Sequence, residues 1–262
     1  MKKYFHVFKT TLIGKIQYFS NLTVELVIFF LIIFILLNIW TYVYSDRVIV
    51  NGYTSNQIMW YVLLAEAFCI GNSNEVFANE MSYDIKSGNI ACKINKPYNY
   101  VFFSLSKYLG DVIVKILFFI SIGIITGITF IGKIQNFNIR NILLLILVYI
   151  LGIIINSLIN IVVNLSSFWI EENKPVRWVY EKIILMFGVM FPLEMLPIWL
   201  QPVVKFTPVF TCIYGPIKLT VDFSFNVFYR IIATQFLYLV GFAFFALFIY
   251  KKGVRKINAN GG

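Results

Sequence analysis

Histidine occurs once, at His6, so neither an H-E-x-x-H metal site nor a Ser-His or Cys-His pair placed within a membrane can be assembled from this chain. Cysteine is almost as scarce. Cys69, Cys92 and Cys212 are odd in number and widely spaced, which fits neither a disulfide framework nor a zinc site and reads as three small apolar fillers. Charge is thin as well, at 13% of residues against 60% apolar and 18% aromatic, with a mean hydropathy of +0.80. A soluble domain of that composition would expose too much apolar surface, whereas lipid accommodates it. The sequence therefore reads as an all-α integral membrane protein, a single membrane domain over 1–262. It has room for about six helices of roughly 20 residues and for no separate soluble enzyme domain.

Nucleotide chemistry is excluded on a near match. Gly127-Ile128-Thr129-Phe130-Ile131-Gly132-Lys133-Ile134 fits G-x-x-x-x-G-K but puts Ile134 where Ser or Thr must reach magnesium, and it occupies the end of an apolar helix. The chain is expected to be no enzyme and to hold no cofactor, with any ATP and Mg bound by another subunit. The acidic pair Glu171-Glu172, beside Lys174 and Arg177, reads as a solvated charge cluster rather than an acid/base dyad.

What is present is a series of apolar runs. Hydropathy places spans at Leu22–Tyr44, Ser55–Gly71, Gly110–Ile131, Ile142–Val163, Ile183–Leu200 and Phe228–Tyr250. With Lys115 set aside inside the third, fifteen Lys and Arg fall on the N-terminal side and six on the other. The positive-inside rule then makes both termini cytoplasmic, and the formal charge of +10 reads as topology and contact with anionic lipid, needing no nucleic acid. No cleavable signal peptide is expected, because about twenty polar-aromatic residues precede the first apolar run. Within them Phe5, Phe8, Leu12, Ile16 and Phe19 recur at steps of three and four, predicting an amphipathic interfacial helix over 1–20. Seventeen Lys against five Arg, with abundant Ile and Asn, suggests an AT-rich bacterial genome.

Between the second and third spans lies an insert, 72–109, whose charged body runs from Glu75 to Lys107. So greasy a chain has little reason to keep it on the cytoplasmic side unless something soluble docks there. Phe77, Met81 and Ile85 fall on one helical face, Gly88 can end that helix, and Pro97 starts a new segment. Inside the spans, each polar residue must find a partner away from water. Glu66 lies in the body of the second span. Asn156, Asn160 and Asn164 repeat every four residues in the fourth, either lining a substrate route or hydrogen-bonding between helices. Asp111 and Lys115, four apart, are expected to pair with one another. Gly123 and Gly127 form a G-x-x-x-G face for close helix approach.

Five of the seven prolines, Pro192, Pro197, Pro202, Pro208 and Pro216, crowd into 191–216. Proline breaks helices, so this stretch is expected to form short pieces that re-enter the outer leaflet.

These elements in this order resemble the ABC type-2 exporter permeases. Tyr83-Asp84-Ile85-Lys86-Ser87-Gly88-Asn89-Ile90-Ala91 running to Lys96-Pro97 resembles more narrowly the I-x-S-G-x-I…L-x-K/R-P stretch of a bacterial subgroup, with Ile94 where Leu is common. Phe168-Trp169, Phe191-Pro192-Leu193, Leu196-Pro197-Ile198-Trp199-Leu200 and Tyr214-Gly215-Pro216 are similar to its second half. The resemblance implies a multi-pass bacterial plasma-membrane permease working with a second permease, a different chain, and an ABC ATP-binding subunit. It implies that Met81, Ile85, Gly88, Ile90, Lys96 and Pro97 couple to the ATPase. Glu66, Asn156, Asn160 and Asn164 are then expected along the translocation path, with Pro192, Pro197 and Pro202 in an outer gate. The alternative is a membrane scaffold or regulatory subunit that docks a soluble partner without transporting. Sparse intramembrane charge argues against a strongly ionic solute; amphiphile, peptide and drug-like compound stay open.

Overall fold

The computed structural model describes residues 2–17, 22–135, 137–170 and 172–260, and these are almost wholly helical. Helix α1 (Lys2–Gln17) and helix α2 (Thr23–Val43) lead to a hairpin of β1 (Ile49–Val50) and β2 (Tyr53–Thr54), and then to α3 (Ser55–Gly71). The insert folds as α4 (Glu75–Lys86) and α5 (Ile90–Ile94), followed by α6 (Tyr100–Phe130) and α7 (Ile142–Leu165). Helix α8 (Lys174–Ile184) runs into a π-helical turn at Leu185–Met190. Helices α9 (Gln201–Lys205), α10 (Gly215–Val221) and α11 (Phe225–Asn260) complete the order. Among the described residues four helical stretches are long and apolar enough to cross a membrane: Thr23–Val43, Tyr100–Phe130, Ile139–Phe168 and Phe225–Lys256. The molecule is an all-α membrane protein apart from the small hairpin. Phe19, the 18–20 end of the expected interfacial helix, and Glu171 lie outside the described residues.

Helix α3 is the axis of the bundle. Twelve of its 17 residues are buried, and it packs on α2, on α6, on the Leu185–Met190 turn and on α10. Its start is set by local chemistry. Asn51 and Gly52, with φ of 48° and 86°, make the two-residue turn between β1 and β2, where left-handed backbone matches the strand twist. Thr54 then closes a capping box with Gln57. Asn56 donates to the Lys133 carbonyl at 3.2 Å, fastening the same end of α3 to the chain beyond α6.

The G-x-x-x-G face of α6 meets α3. A Cβ at Gly123 would stand 3.3 Å from that of Ala67, and one at Gly127 would fall inside the Trp60 ring, whose Nε1 donates to Gly132 at 3.0 Å. Gly127→Val is therefore expected to lower stability by about 1–3 kcal/mol through overpacking. Gly241→Val, where a Cβ meets nothing within 4 Å, serves as the control. Thermal unfolding in detergent checks the pair, and equal midpoints for the two variants would show that α3 and α6 do not meet this way.

Three expected boundaries move. Helix α6 starts at Tyr100, ten residues before Gly110, because the Asn99 side chain caps Val101 and Phe102. The helix expected over Ile183–Leu200 instead occupies α8 and its π turn and stops at Met190, before Pro192. Helix α11 extends on both sides of Phe228–Tyr250. The cause is common to the first and last: hydropathy marks the apolar stretch, while backbone hydrogen bonding carries a helix on into polar residues. The expected Asp111–Lys115 pair is also corrected. Lys115 reaches across to Glu25 on α2, with Nζ to Oε2 at 2.7 Å, and to the Ser73 carbonyl at 2.9 Å. Asp111 instead accepts from Asn74 at 3.0 Å. An exposed lysine four residues along would stay with its helix neighbour, but Lys115 is buried and must satisfy its charge where acceptors lie.

Candidate functional site

The insert is bolted to one end of the bundle. Asn74 caps α4 by accepting from Phe77 N–H at 3.0 Å. The apolar face read from the sequence, Phe77, Met81 and Ile85, is buried together with Ile90, none of the four more than 6% exposed. It packs on α7 and the Ser166–Phe168 turn, with Phe77 edge-on to Tyr108 at 5.3 Å. Met81, Ile85 and Ile90 therefore present no side chain to a soluble partner, which corrects the expectation that they form its contact. Helical periodicity reveals which residues share a face; here that face closes the protein's own core.

The outward face is a different set. Tyr83 is 65% exposed and Val76 76%, and Lys86 lies 3.7 Å from Glu172. Gly88, with φ of 78°, ends α4 in the left-handed conformation that glycine adopts without strain. Lys93 pairs with Asp84, and Lys107 with Glu80 at 2.7 Å. Lys96 and Pro97 are exposed. Lys3 on α1 donates to the Pro97 carbonyl, and Tyr4 accepts from Asn99 N–H at 2.9 Å. Helix α1 lies along α6 so closely that a Cβ at Gly110 would sit 2.7 Å from the Phe8 carbonyl. Insert, α1 and α6 thus form one mechanical unit.

Above the insert lies a cavity of about 390 Å³. Helices α1, α2, α6, α7 and α8 and the α3–α4 connection contribute its walls, through Lys15, Glu25, Lys115, Asn156, Arg177 and Asn74 among others. Arg177 is buried and donates to Asn79 at 3.0 Å, with Glu75 at 3.8 Å. Tyr180 donates to Asn156 at 2.7 Å, and Asn160 donates back to the Asn156 carbonyl at 2.9 Å. Asn156 and Asn160 line the cavity; Glu66 and Asn164 do not. Asn164 accepts from Asn173 at 3.3 Å, and Asn173 also donates to Ser82 on α4 at 2.8 Å. Along the asparagine stripe, Asn156 and Asn160 stand in the cavity wall, and Asn156 and Asn164 also bond beyond α7, to Tyr180 and Asn173. Glu66 is buried inside the bundle, and its Oε2 has no hydrogen-bond partner among the described residues.

At the opposite end, Pro192 and Pro197 flank a 3-10 turn at Leu193–Met195, and Pro202 sits in the first turn of α9. Glu194 in that turn gathers the surrounding elements. Tyr214 donates to it at 2.7 Å and Tyr53 at 3.0 Å. Lys218 stands 3.8 Å away, 2.9 Å from Asp222 and 4.4 Å above the Tyr53 ring. Burial first, then the neighbouring Tyr214 and Glu194, hold the Tyr53 phenol well above its ordinary pKa, so it remains a donor. Sequence reading missed Glu194, Arg177 and the Glu25–Lys115 pair. A lone carboxylate amid prolines and aromatics was the available signal for Glu194.

A family model described as "ABC-2 family transporter protein" matches residues 26–261, nearly the whole chain. No individually curated protein matches it significantly.

Proposed function

The chain belongs to the ABC-2 transporter family, and from that premise we propose that it is the membrane-spanning permease of an ATP-driven exporter. One observation carries the reading: a solvent-facing insert whose buried side is continuous with the transmembrane core, so that force applied outside is delivered inside. Six crossings follow if α3 and the α8 segment, Lys174–Met190, join the four long helices. Each is 17 residues, about 26 Å of helix, close to the hydrocarbon thickness. In this reading both termini and the insert face the cytoplasm of a bacterial cell, an orientation supported by the excess of Lys and Arg on that side.

A separate ABC subunit binds ATP and Mg and performs hydrolysis; this chain performs none. Its docking surface comprises Tyr83, Lys86, Gly88, Lys96 and Pro97, while Met81, Ile85 and Ile90 pass the movement inward. A second permease, a different chain, completes the route, and lipid covers the remaining apolar faces. Within this subunit the route starts at the polar cavity with Asn156 and Asn160, passes the level of Glu66, and ends beneath the broken segment of Pro192, Pro197 and Pro202. Asn164 braces the insert.

Tyr83→Asp combined with Lys86→Glu is expected to reduce co-purification of the ATPase by about tenfold or more while membrane insertion and thermal stability hold, because both side chains face outward. Met81→Asp is expected to unfold the insert, since an unpaired buried charge costs on the order of a few kcal/mol. An undiminished complex from the surface variant would remove the docking assignment.

A further inference from the structure

The cavity above the insert holds three positive and three negative side chains: Lys15, Lys115 and Arg177 against Glu25, Glu75 and Glu181. Two pairs cancel, Lys115 with Glu25 at 2.7 Å and Arg177 with Glu75 at 3.8 Å. Lys15 and Glu181 are left, neither in an ion pair among the described residues although both line the same space. They come from different walls. Lys15 enters on α1, which lies along α6, and Glu181 on α8, which lies against α7. Arg177 adds to the shortage of acceptors, because its buried Nη1 has no hydrogen-bond partner among the described residues. A buried donor left open in a native fold calls for an explanation, and an acceptor on a molecule bound in this cavity supplies one.

The rest of the lining is mixed: Asn72, Ser73, Asn74, Asn156, Asn160 and Tyr180 are polar, and the remaining side chains are apolar. Phe68 and Ile213 belong to the buried core, whereas Ile28 on α2 is exposed. A molecule held here meets Lys15 and Glu181, neither within ion-pair distance of a counter-charge although Arg177 and Lys182 act on Glu181, and an apolar flank that includes the exposed Ile28. The volume, about 390 Å³, is within the range of small-ligand sites.

We propose that this cavity is the intake site for an amphiphile with a zwitterionic head, its anion set against Lys15 and Arg177 and its ammonium against Glu181. The assignment rests on the permease reading and names its substrate class. A head of zero net charge also reconciles a transported polar group with a bundle that offers few charges farther along.

Binding can be measured on the purified chain without an ATPase, so its failure is separate from failure of the transporter reading, which co-purification tests. The chain is placed in nanodiscs of phosphatidylglycerol, which supplies no competing zwitterion. Three photoreactive dodecyl probes differ only in the head: phosphoethanolamine, methyl phosphate (a singly charged phosphodiester) and primary amine. The phosphoethanolamine probe is expected to bind about tenfold more tightly than either singly charged one, the scale of one charge-assisted contact. Lys15→Gln should erase its advantage over the amine, and Glu181→Gln its advantage over the phosphate; both residues are partly exposed, so both variants should fold. Equal binding of the three probes, or a preference that survives both substitutions, overturns the proposal. So does efficient competition by soluble trileucine, which would assign the site to a peptide.

Discussion

Glu25→Leu is expected to lower the unfolding free energy by about 3 kcal/mol, the lower end of what breaking a buried ion pair costs. The Lys115 side chain is only 4% exposed, whereas that of Glu25 is 35% exposed. Removing Glu25 strands an ammonium deep between α2, α3 and α6 with only Ser73 to receive it. Removing Lys115 strands a carboxylate that water can reach, so Lys115→Met should be milder. The double variant should recover most of the loss, because an apolar pair of similar volume carries no desolvation penalty. Thermal midpoints of the four proteins in one detergent decide the matter. Equal damage from the two single changes, or simple additivity in the double, would mean that the pair does not bridge α2 to α6.

Glu194→Ala is expected to release the proline-rich segment from the rest of that end. It removes the acceptor of two tyrosine hydroxyls and one partner of Lys218, a loss of about 2–4 kcal/mol locally, since hydrogen bonds to charged groups are worth roughly 1.5–3 kcal/mol each and this one is partly solvated. The readout is labelling of single cysteines placed at Gln201 or Lys205 by a membrane-impermeant thiol reagent from outside the cell. Rates should rise severalfold in the variant, and export should fall while ATPase docking holds, because Glu194 is at the far end from the insert. Unchanged rates would make Glu194 a bystander. Labelling only from the cytoplasm would invert the topology.

Much of the scaffold was legible because local rules govern it. The apolar runs, the G-x-x-x-G face of Gly123 and Gly127, and the helix-ending Gly88 correspond to observed features. The Asn51-Gly52 turn and the Thr54–Gln57 cap carry equally local signals that the hydropathy reading passed over. Contacts between distant residues were not legible. Glu25 and Lys115 are ninety positions apart, and nothing in either neighbourhood names the other. Lys115 also had a nearer acid, Asp111, which geometry assigned to Asn74. The insert shows the limit most directly. Its apolar face was identified correctly, but a repeat of three and four carries no statement about what covers that face, and α7 covers it.

Helix α3 has consequences for how the protein is made. A segment buried on nearly every side, with Glu66 in its body and a polar first turn, has little to offer the acyl chains that first receive it from the insertion machinery. Its close-fitting neighbours, Gly123 and Gly127, are synthesised more than fifty residues later. Until they emerge, α3 has no companion against which to bury itself, and α2 alone supplies a firm anchor. Assembly is therefore ordered in time as well as space: the central helix is among the first to be translated and among the last to settle.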